Sequence, residues 1–505
     1  MNINIRTQKD FKLKEEKNNL VITNNLSNGL VKKINKTLGG KIEELSTKPF
    51  TTIHTLDKLA AKKVHIVNFK DLADEEKRLK IFKNIAKLEG NNCILVDTFE
   101  NSNYQKNIQD LSEIILTENY VFDKFKSKKE QKNKDFFYYG ETKISDALKK
   151  GYVFGDCMNH ARDLVNTPYN YLNASDLAEY AIKLEKNNYI TTRIFNKKEI
   201  EAMNMGAYLG VNKGSSDEPK LIQVKYQGLD KFENPTALVG KGVMYDTGGY
   251  SLKTPISMPG MKVDMAGSAA VLCAIEAISR LELKANVMAI VAATDNRIGD
   301  GAIVPDDILT AASGKTIEIV STDAEGRLTL ADAVWFAQKE GAKEVIDTAT
   351  LTGSMVAALG HEFTGAFTNN RELYNKLYEA SIKTREKIWE MPISSGYRKL
   401  IESKVADIKN TGGRLAGAST AAAFIEEFIE KDTKWVHLDI AGTASAEKKG
   451  ATGVMVKTFT ELFCLWTLPP LNWVTQFEER ASWVVRTTVR KYIKLTRLSQ
   501  PLVSC

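Results

Sequence analysis

Short apolar runs alternate with longer mixed segments along this chain, and their lengths divide it into three textures. Over residues 1–150 the runs at 64–69 and 93–96, each bounded by polar residues, read as buried strands between amphipathic helices. From about 155 to 462 the strand candidates at 236–243, 286–293, 316–320 and 344–349 alternate with helical stretches such as 268–280 and 420–430. That alternation predicts an α/β sandwich, with helices on both faces of a mostly parallel or mixed sheet. Polar residues at the strand ends of such sheets line the ligand crevice, so the chemistry is expected where the strands stop.

The charged loop KSKKEQKNK at 126–134 and a helix expected at 144–164 place a domain boundary near residue 150. The predicted organisation is therefore an N-terminal α/β domain over 1–150, a larger α/β domain over 151–463 and an atypical tail over 464–505. The tail holds three of the six tryptophans, Trp466, Trp473 and Trp483, with six Lys or Arg against two Glu. An amphipathic helix at 476–498, docking on a partner or a membrane surface, is one expectation for it; an extension with no catalytic part is the other.

Composition narrows the class. A chain of 505 residues with 43% hydrophobic and 26% charged residues is globular and long enough for several domains. Its net charge of +7 arises from 70 Lys and Arg against 63 Asp and Glu, a mild excess that solvated surface lysines explain and that does not select nucleic acid as a partner. The N-terminal segment has no apolar run after its basic residues, and no stretch reaches about 18 apolar residues, so neither a signal peptide nor a membrane span is expected. Five cysteines without paired spacing argue against a disulfide framework or a cysteine zinc site, and point to a reducing, cytoplasmic setting.

Three polar clusters stand at the ends of apolar strands. In GKGVMYDTGGYSLK, residues 240–253, a strand delivers Lys241 and Asp246 before the Gly248-Gly249 pair turns the chain, and Lys253 follows. In MKVDMAGSAA, Asp264 precedes a helix of small residues; in STDAEGRL, Asp323, Glu325 and Arg327 occupy alternating positions beyond a strand. On an extended segment Asp323 and Glu325 point the same way, with Asp246 and Asp264 meeting them from neighbouring strands. Four carboxylates repel one another unless protonation, basic partners or cations intervene, and an oxygen-rich set with one nitrogen suits Mg, Mn or Zn. A pair of divalent ions is the economical solution, because two metals roughly 3.5–4 Å apart activate a water and polarise a carbonyl, as hydrolysis requires. Any one of these acids alone is more often a cap or turn residue, and only the joint pattern carries weight.

Other motifs fail on spacing. SGKT at 313–316 has Leu309 where a phosphate loop needs glycine, His361-Glu362 lacks the second histidine of a zinc-protease helix, and there is no G-x-S-x-G elbow. His54, His65, His160 and His437 stand isolated in sequence, as core or surface residues do.

Together these clusters resemble the leucyl aminopeptidase family over roughly residues 161–463, supported by ARDLVNTP at Ala161, DTATLTGSMVAALG at Asp347, ADIKNTGG at Ala406 and HLDIAGTA at His437. The family octet commonly begins with Asn where this chain has Ser321, and YDTGGYSLK stands where FDSGGISIK is commoner, with Asp246 and Lys253 kept. The resemblance implies that Lys241, Asp246, Asp264 and Glu325 bind the tighter of two metals, and that Asp246, Asp323 and Glu325 bind the more exchangeable one. The lysine ligand must then be neutral, which coordination and desolvation enforce. It further implies that Lys253 stabilises an oxyanion, that Arg327 holds a bicarbonate that takes a proton, and that Met261, Thr350, Leu351 and Gly353 line the pocket for the first side chain. The substrate's free α-amine would coordinate one metal, confining cleavage to N-terminal residues. Manganese or zinc, with magnesium or cobalt as further candidates, a macro-domain-like N-terminal module and a hexamer of paired trimers are likewise implied. The alternative from a different class is a DNA- or partner-binding role on the same scaffold.

Overall fold

The apolar runs at 64–69 and 93–96 each supply a strand whose successive side chains feed two different cores. Leu20, Ile22, Cys93 and Leu95 pack on one face with Val31, Ile34 and Ile42, whereas Val21, Ile94, Phe136 and Tyr138 pack on the other with Phe82, Ile85, Leu111 and Ile115. Continuous apolar runs buried on both faces are what a largely parallel sheet requires. The strands are β1 (Asn2–Thr7), β2 (Asn19–Thr23), β3 (Phe50–His54), β4 (Lys63–Val67), β5 (Asn91–Leu95) and β6 (Asn133–Tyr139), in the order β1-β6-β5-β2-β4-β3. Only β3 runs antiparallel to its neighbour.

These features come from a computed structural model, which describes residues 2–7, 11–45, 47–129, 133–140, 144–446 and 450–466. The helix expected at 476–498 lies outside the described residues. Residues 1–463 form one compact unit. Helix Ser145–Asn166, expected at 144–164, runs through the boundary anticipated near residue 150 and packs on helix Tyr104–Glu118 on one side and helix Ala266–Arg280 on the other. A buried ion pair, Lys457 Nζ to Glu113 Oε1 at 2.7 Å, and Arg385 on Asp110 at 3.1 Å tie the first sheet to the rest of the unit.

The following strands are β7 (Ile190–Phe195), β8 (Lys220–Gln227), β9 (Thr236–Asp246), β10 (Asn286–Asn296), β11 (Ile308–Thr310) and β12 (Thr316–Glu318). After them come β13 (Glu344–Ala349), β14 (Thr364–Thr368), β15 (Ile388–Glu390), β16 (Ile408–Lys409) and β17 (Lys434–Asp439). Eight of these build a mixed sheet in the order β15-β14-β17-β13-β9-β10-β8-β7. The expected α/β sandwich with a mixed sheet is therefore the observed architecture. The run at 316–320 departs from expectation: it shortens to β12 and joins β11 and β16 in a separate three-stranded sheet. The helix expected at 420–430 starts earlier and runs Gly417–Glu426.

The centre of the large sheet explains where the polar residues gather. β17, β13, β9 and β10 are mutually parallel, so their C-terminal ends fall side by side. Ala237, Val239, Met288 and Ile290 face a core shared with Leu328, Ala331 and Val334 of helix Gly326–Lys339 and with Phe424. The opposite face receives helix Ala266–Arg280, which approaches so closely that a Cβ on Gly240 would lie 2.6 Å from Ser268 Cα. With both faces sealed, the row of strand ends is where ligand-accessible chemistry can be placed.

Candidate active site

The positions of Lys241 and Asp246 follow from an irregularity in β9. Five residues apart on a regular strand, their side chains would leave from opposite faces. Between the pairs Val243–Thr294 and Asp246–Asn296, however, β9 takes three steps while β10 takes two. This bulge inserts one residue and returns Asp246 to the side of Lys241. Asp246 Oδ1 is then fixed by Asn296 Nδ2 and by the Gly248 amide, each donating at 2.8 Å. The turn needs glycine: Gly248 has φ +87, and a Cβ there would meet Ser251 O at 2.5 Å and Asp323 Oδ1 at 2.9 Å.

The other carboxylates arrive from turns, which corrects two expectations. Asp264 lies in the short helical turn Met261–Met265 rather than on a strand. Asp323 sits in a turn and Glu325 is the N-cap of helix Gly326–Lys339 with helical backbone angles, so the two are not on an extended segment. They nevertheless converge. Carboxylate oxygens of Asp246, Asp323 and Glu325 lie within 4.8 Å of one another. Lys241 Nζ contacts Asp264 Oδ2 at 2.6 Å and Glu325 Oε1 at 2.9 Å, and Lys253 Nζ contacts Asp246 Oδ2 at 2.7 Å and Asp323 Oδ1 at 2.5 Å.

The charges do not balance comfortably. Four carboxylates face two ammonium groups, with Arg327 beyond Glu325. Burial pushes Asp246 up to about 6 despite Lys253 and Lys241, with Glu325 adding to the rise, and burial likewise raises Asp264 and Glu325. Burial alone would lower the Lys241 ammonium, but Asp264, Glu325 and Asp246 together hold it above the usual lysine range. Asp264 Oδ1 accepts from Thr350 Oγ1 at 2.8 Å, whereas its buried Oδ2, though in ion-pair contact with Lys241, receives no hydrogen bond of good geometry. Each of these features is what a cation-seeking donor set shows: an excess of buried acid, oxygens within reach of a common centre and an under-satisfied carboxylate oxygen. The residues present fit divalent metal.

Exposure differs across the cluster. The side chains of Lys241, Asp264 and Glu325 are 3%, 6% and 2% exposed, while that of Asp323 is 38% exposed. The part of the cluster that includes Asp323 is thus the part open to solvent. All eleven residues singled out in the sequence line one cavity of about 520 Å³, together with Leu252, Val263 and Val356, which give one wall an apolar character. Arg327 also lines it. Its Nη1 donates to Asn410 O at 2.8 Å, while its buried Nε has no hydrogen-bond partner, and burial lowers the guanidinium to about 10.

Several residues that shape this site were not apparent from the sequence. Asp439, at the end of β17, accepts from Leu351 N at 3.1 Å and Thr352 Oγ1 at 2.7 Å. It thereby fixes the loop whose Thr350 carbonyl receives Lys241 Nζ at 3.3 Å. The stretch HLDIAGTA drew notice as a motif, but nothing in it distinguishes a positioning carboxylate from a cap. Gly326 is a second case, because a Cβ there would stand 2.4 Å from Lys241 Cε and 2.6 Å from its Nζ. Lysine is flexible, so Gly326→Ala should fold with little loss of stability. The ammonium, however, is pinned between two acids, and its displacement should lower activity by about 10–100-fold, as mispositioned metal-site residues do. Steady-state kinetics beside a thermal melt would show it; an unaffected rate would mean that the placement of Lys241 is not critical.

Residues 159–460 match the model of the cytosol aminopeptidase family, catalytic domain. The chain belongs to that family. The match contains every residue of the cluster and extends across the large sheet. Among solved structures, a mutant form of leucine aminopeptidase from tomato superposes with a TM-score of 0.78 at 29% identity, covering 92% of this chain and 96% of that one. The likeness thus extends beyond the catalytic domain of this cytosol aminopeptidase family member into its N-terminal sheet. An aminopeptidase is a hydrolase of peptide bonds.

Proposed function

We propose that this aminopeptidase releases N-terminal leucine-like residues from peptides with two divalent cations held by Lys241, Asp246, Asp264, Asp323 and Glu325. The observation that carries the proposal is the convergence of Asp246, Asp323 and Glu325 oxygens within 4.8 Å, beside an Asp264–Lys241–Glu325 cluster that is almost wholly buried. Bound there, manganese or zinc would acidify a water and polarise the scissile carbonyl. The tighter site would use Lys241, Asp246, Asp264 and Glu325, with the amine of Lys241 neutral, and the more exchangeable one Asp246, Asp323 and Glu325.

The chain's own groups divide the remaining work. The acidic floor receives the substrate's free α-amine, which limits cleavage to the N-terminal residue. Lys253, on the more open side, places a positive charge where negative charge develops on the carbonyl oxygen. Arg327, with its unpartnered buried Nε, suits a small anion such as bicarbonate that accepts a proton from water. Met261, Thr350, Leu351 and Gly353 border the wall that would take the first side chain. The family resemblance extends the proposal to a hexamer of paired trimers acting in the cytosol; among the described residues no helix is long and apolar enough to cross a membrane.

The test is a pair of substrates. Leucyl p-nitroanilide should be hydrolysed and its N-acetylated counterpart left intact; a metal-loaded protein that cuts neither, or both equally, would overturn the assignment.

A further inference from the structure

Helix Ser145–Asn166 and helix Ala266–Arg280 pack against each other away from the catalytic cavity, and each carries metal-ligating residues three positions apart. On the first these are Cys157 and His160, and on the second Cys273 and Glu276. Three-residue spacing puts both members of each pair on one helix face. We propose that Cys157, His160 and Glu276 form a second metal site, specific for a borderline-soft divalent cation of the zinc class.

The ligand atoms of these three residues lie within 4.8 Å of one another. Across a tetrahedral zinc site with bonds of about 2.0–2.3 Å, ligand atoms stand roughly 3.3–3.7 Å apart, so small side-chain rotations close the set. His160 Nδ1 already meets Glu276 Oε2 at 3.0 Å. Glu276 is oriented by Tyr180, whose hydroxyl donates to Oε2 at 3.1 Å and also touches Cys273 Sγ at 3.4 Å. Arg280 binds Asp156 at 2.7 Å and reaches Cys157 Sγ at 3.5 Å and Glu276 Oε1 at 3.4 Å. A divalent cation bound here would take Cys157 as the thiolate, displacing the proton that burial holds on the thiol. Of the three ligands His160 borders solvent, lining with Tyr180 a cavity of about 600 Å³, while Cys157 and Glu276 lie buried behind it.

Thiolate, imidazole and carboxylate together select zinc or cobalt, whereas the catalytic centre offers oxygens and one amine. The two centres would therefore differ in metal preference. A cation here would clamp the two helices, the second of which begins two residues after Asp264.

Cobalt(II) distinguishes the sites, because only a sulfur ligand gives a thiolate-to-cobalt charge-transfer band in the near ultraviolet and the catalytic cavity contains no cysteine. Wild-type protein titrated with cobalt should develop that band. Cys157→Ser should lose it and bind one metal equivalent fewer while keeping peptidase activity and helical circular dichroism, and Cys93→Ser should retain it. His160→Gln, at a half-exposed position, should weaken the band's cobalt affinity by at least about tenfold and guards against a folding defect in Cys157→Ser. Absence of the band in wild type at saturating cobalt, or its persistence in Cys157→Ser, would overturn the proposal. Neither result bears on the catalytic assignment, which rests on different residues.

Discussion

Glu325→Ala should abolish turnover and lower metal content together. Glu325 is shared: its carboxylate faces Lys241 at 2.9 Å and also belongs to the Asp246–Asp323 group, so its removal strips a ligand from both proposed metal positions. Removing one member of a catalytic unit in characterised hydrolases costs about 10⁴-fold or more, and a loss of that order is expected here. The change also leaves Lys241, 3% exposed, with Asp264 as its remaining ion-pair partner. Unfolding in denaturant should nonetheless show a folded protein, because the sheet and its helices are held by apolar contacts on both faces. A variant that keeps its metals and most of its rate would show that Glu325 is not a metal ligand.

Lys253→Ala should separate binding from rate. The Lys253 ammonium sits between Asp246 and Asp323. Burial alone would lower it, but Asp246 and Glu325 hold it above the ordinary lysine range, so it stays charged. Its deletion therefore should not weaken metal uptake. What disappears is a positive charge beside the reacting carbonyl, and loss of one such donor costs about 10²–10³ in kcat. Metal analysis and kcat measured on the same preparation decide the matter: unchanged metal with a slow enzyme supports the oxyanion role, while full activity refutes it.

Much of this site was legible because its residue types are unusual at strand ends. Lys241 within an apolar strand, the Gly248-Gly249 pair after Asp246, and three acidic clusters in series pointed to one crevice, and β9, β10, β13 and β17 gather their ends there. What could not be read is register and close approach. The β9 bulge that brings Asp246 to the face of Lys241 has no sequence mark, since a one-residue insertion is set by pairing with β10. Asp323 and Glu325 looked like alternate positions of a strand, but the chain turns there into helix Gly326–Lys339, with Glu325 at its N-cap position. Gly326 resembles any glycine until Lys241 is seen against it. His160 looked isolated because its partner Glu276 lies on another helix, 116 positions away. The run at 316–320 carried a correct strand signal, yet periodicity does not say which sheet a strand joins.

Anomalous diffraction from crystals soaked in manganese addresses the metal centre most directly. Two peaks should appear in the cavity at the ends of β9 and β10, roughly 3.5–4 Å apart, with Asp246 and Glu325 between them. An active enzyme whose manganese lay elsewhere, or whose Lys241, Asp264 and Asp323 touched no metal, would contradict it.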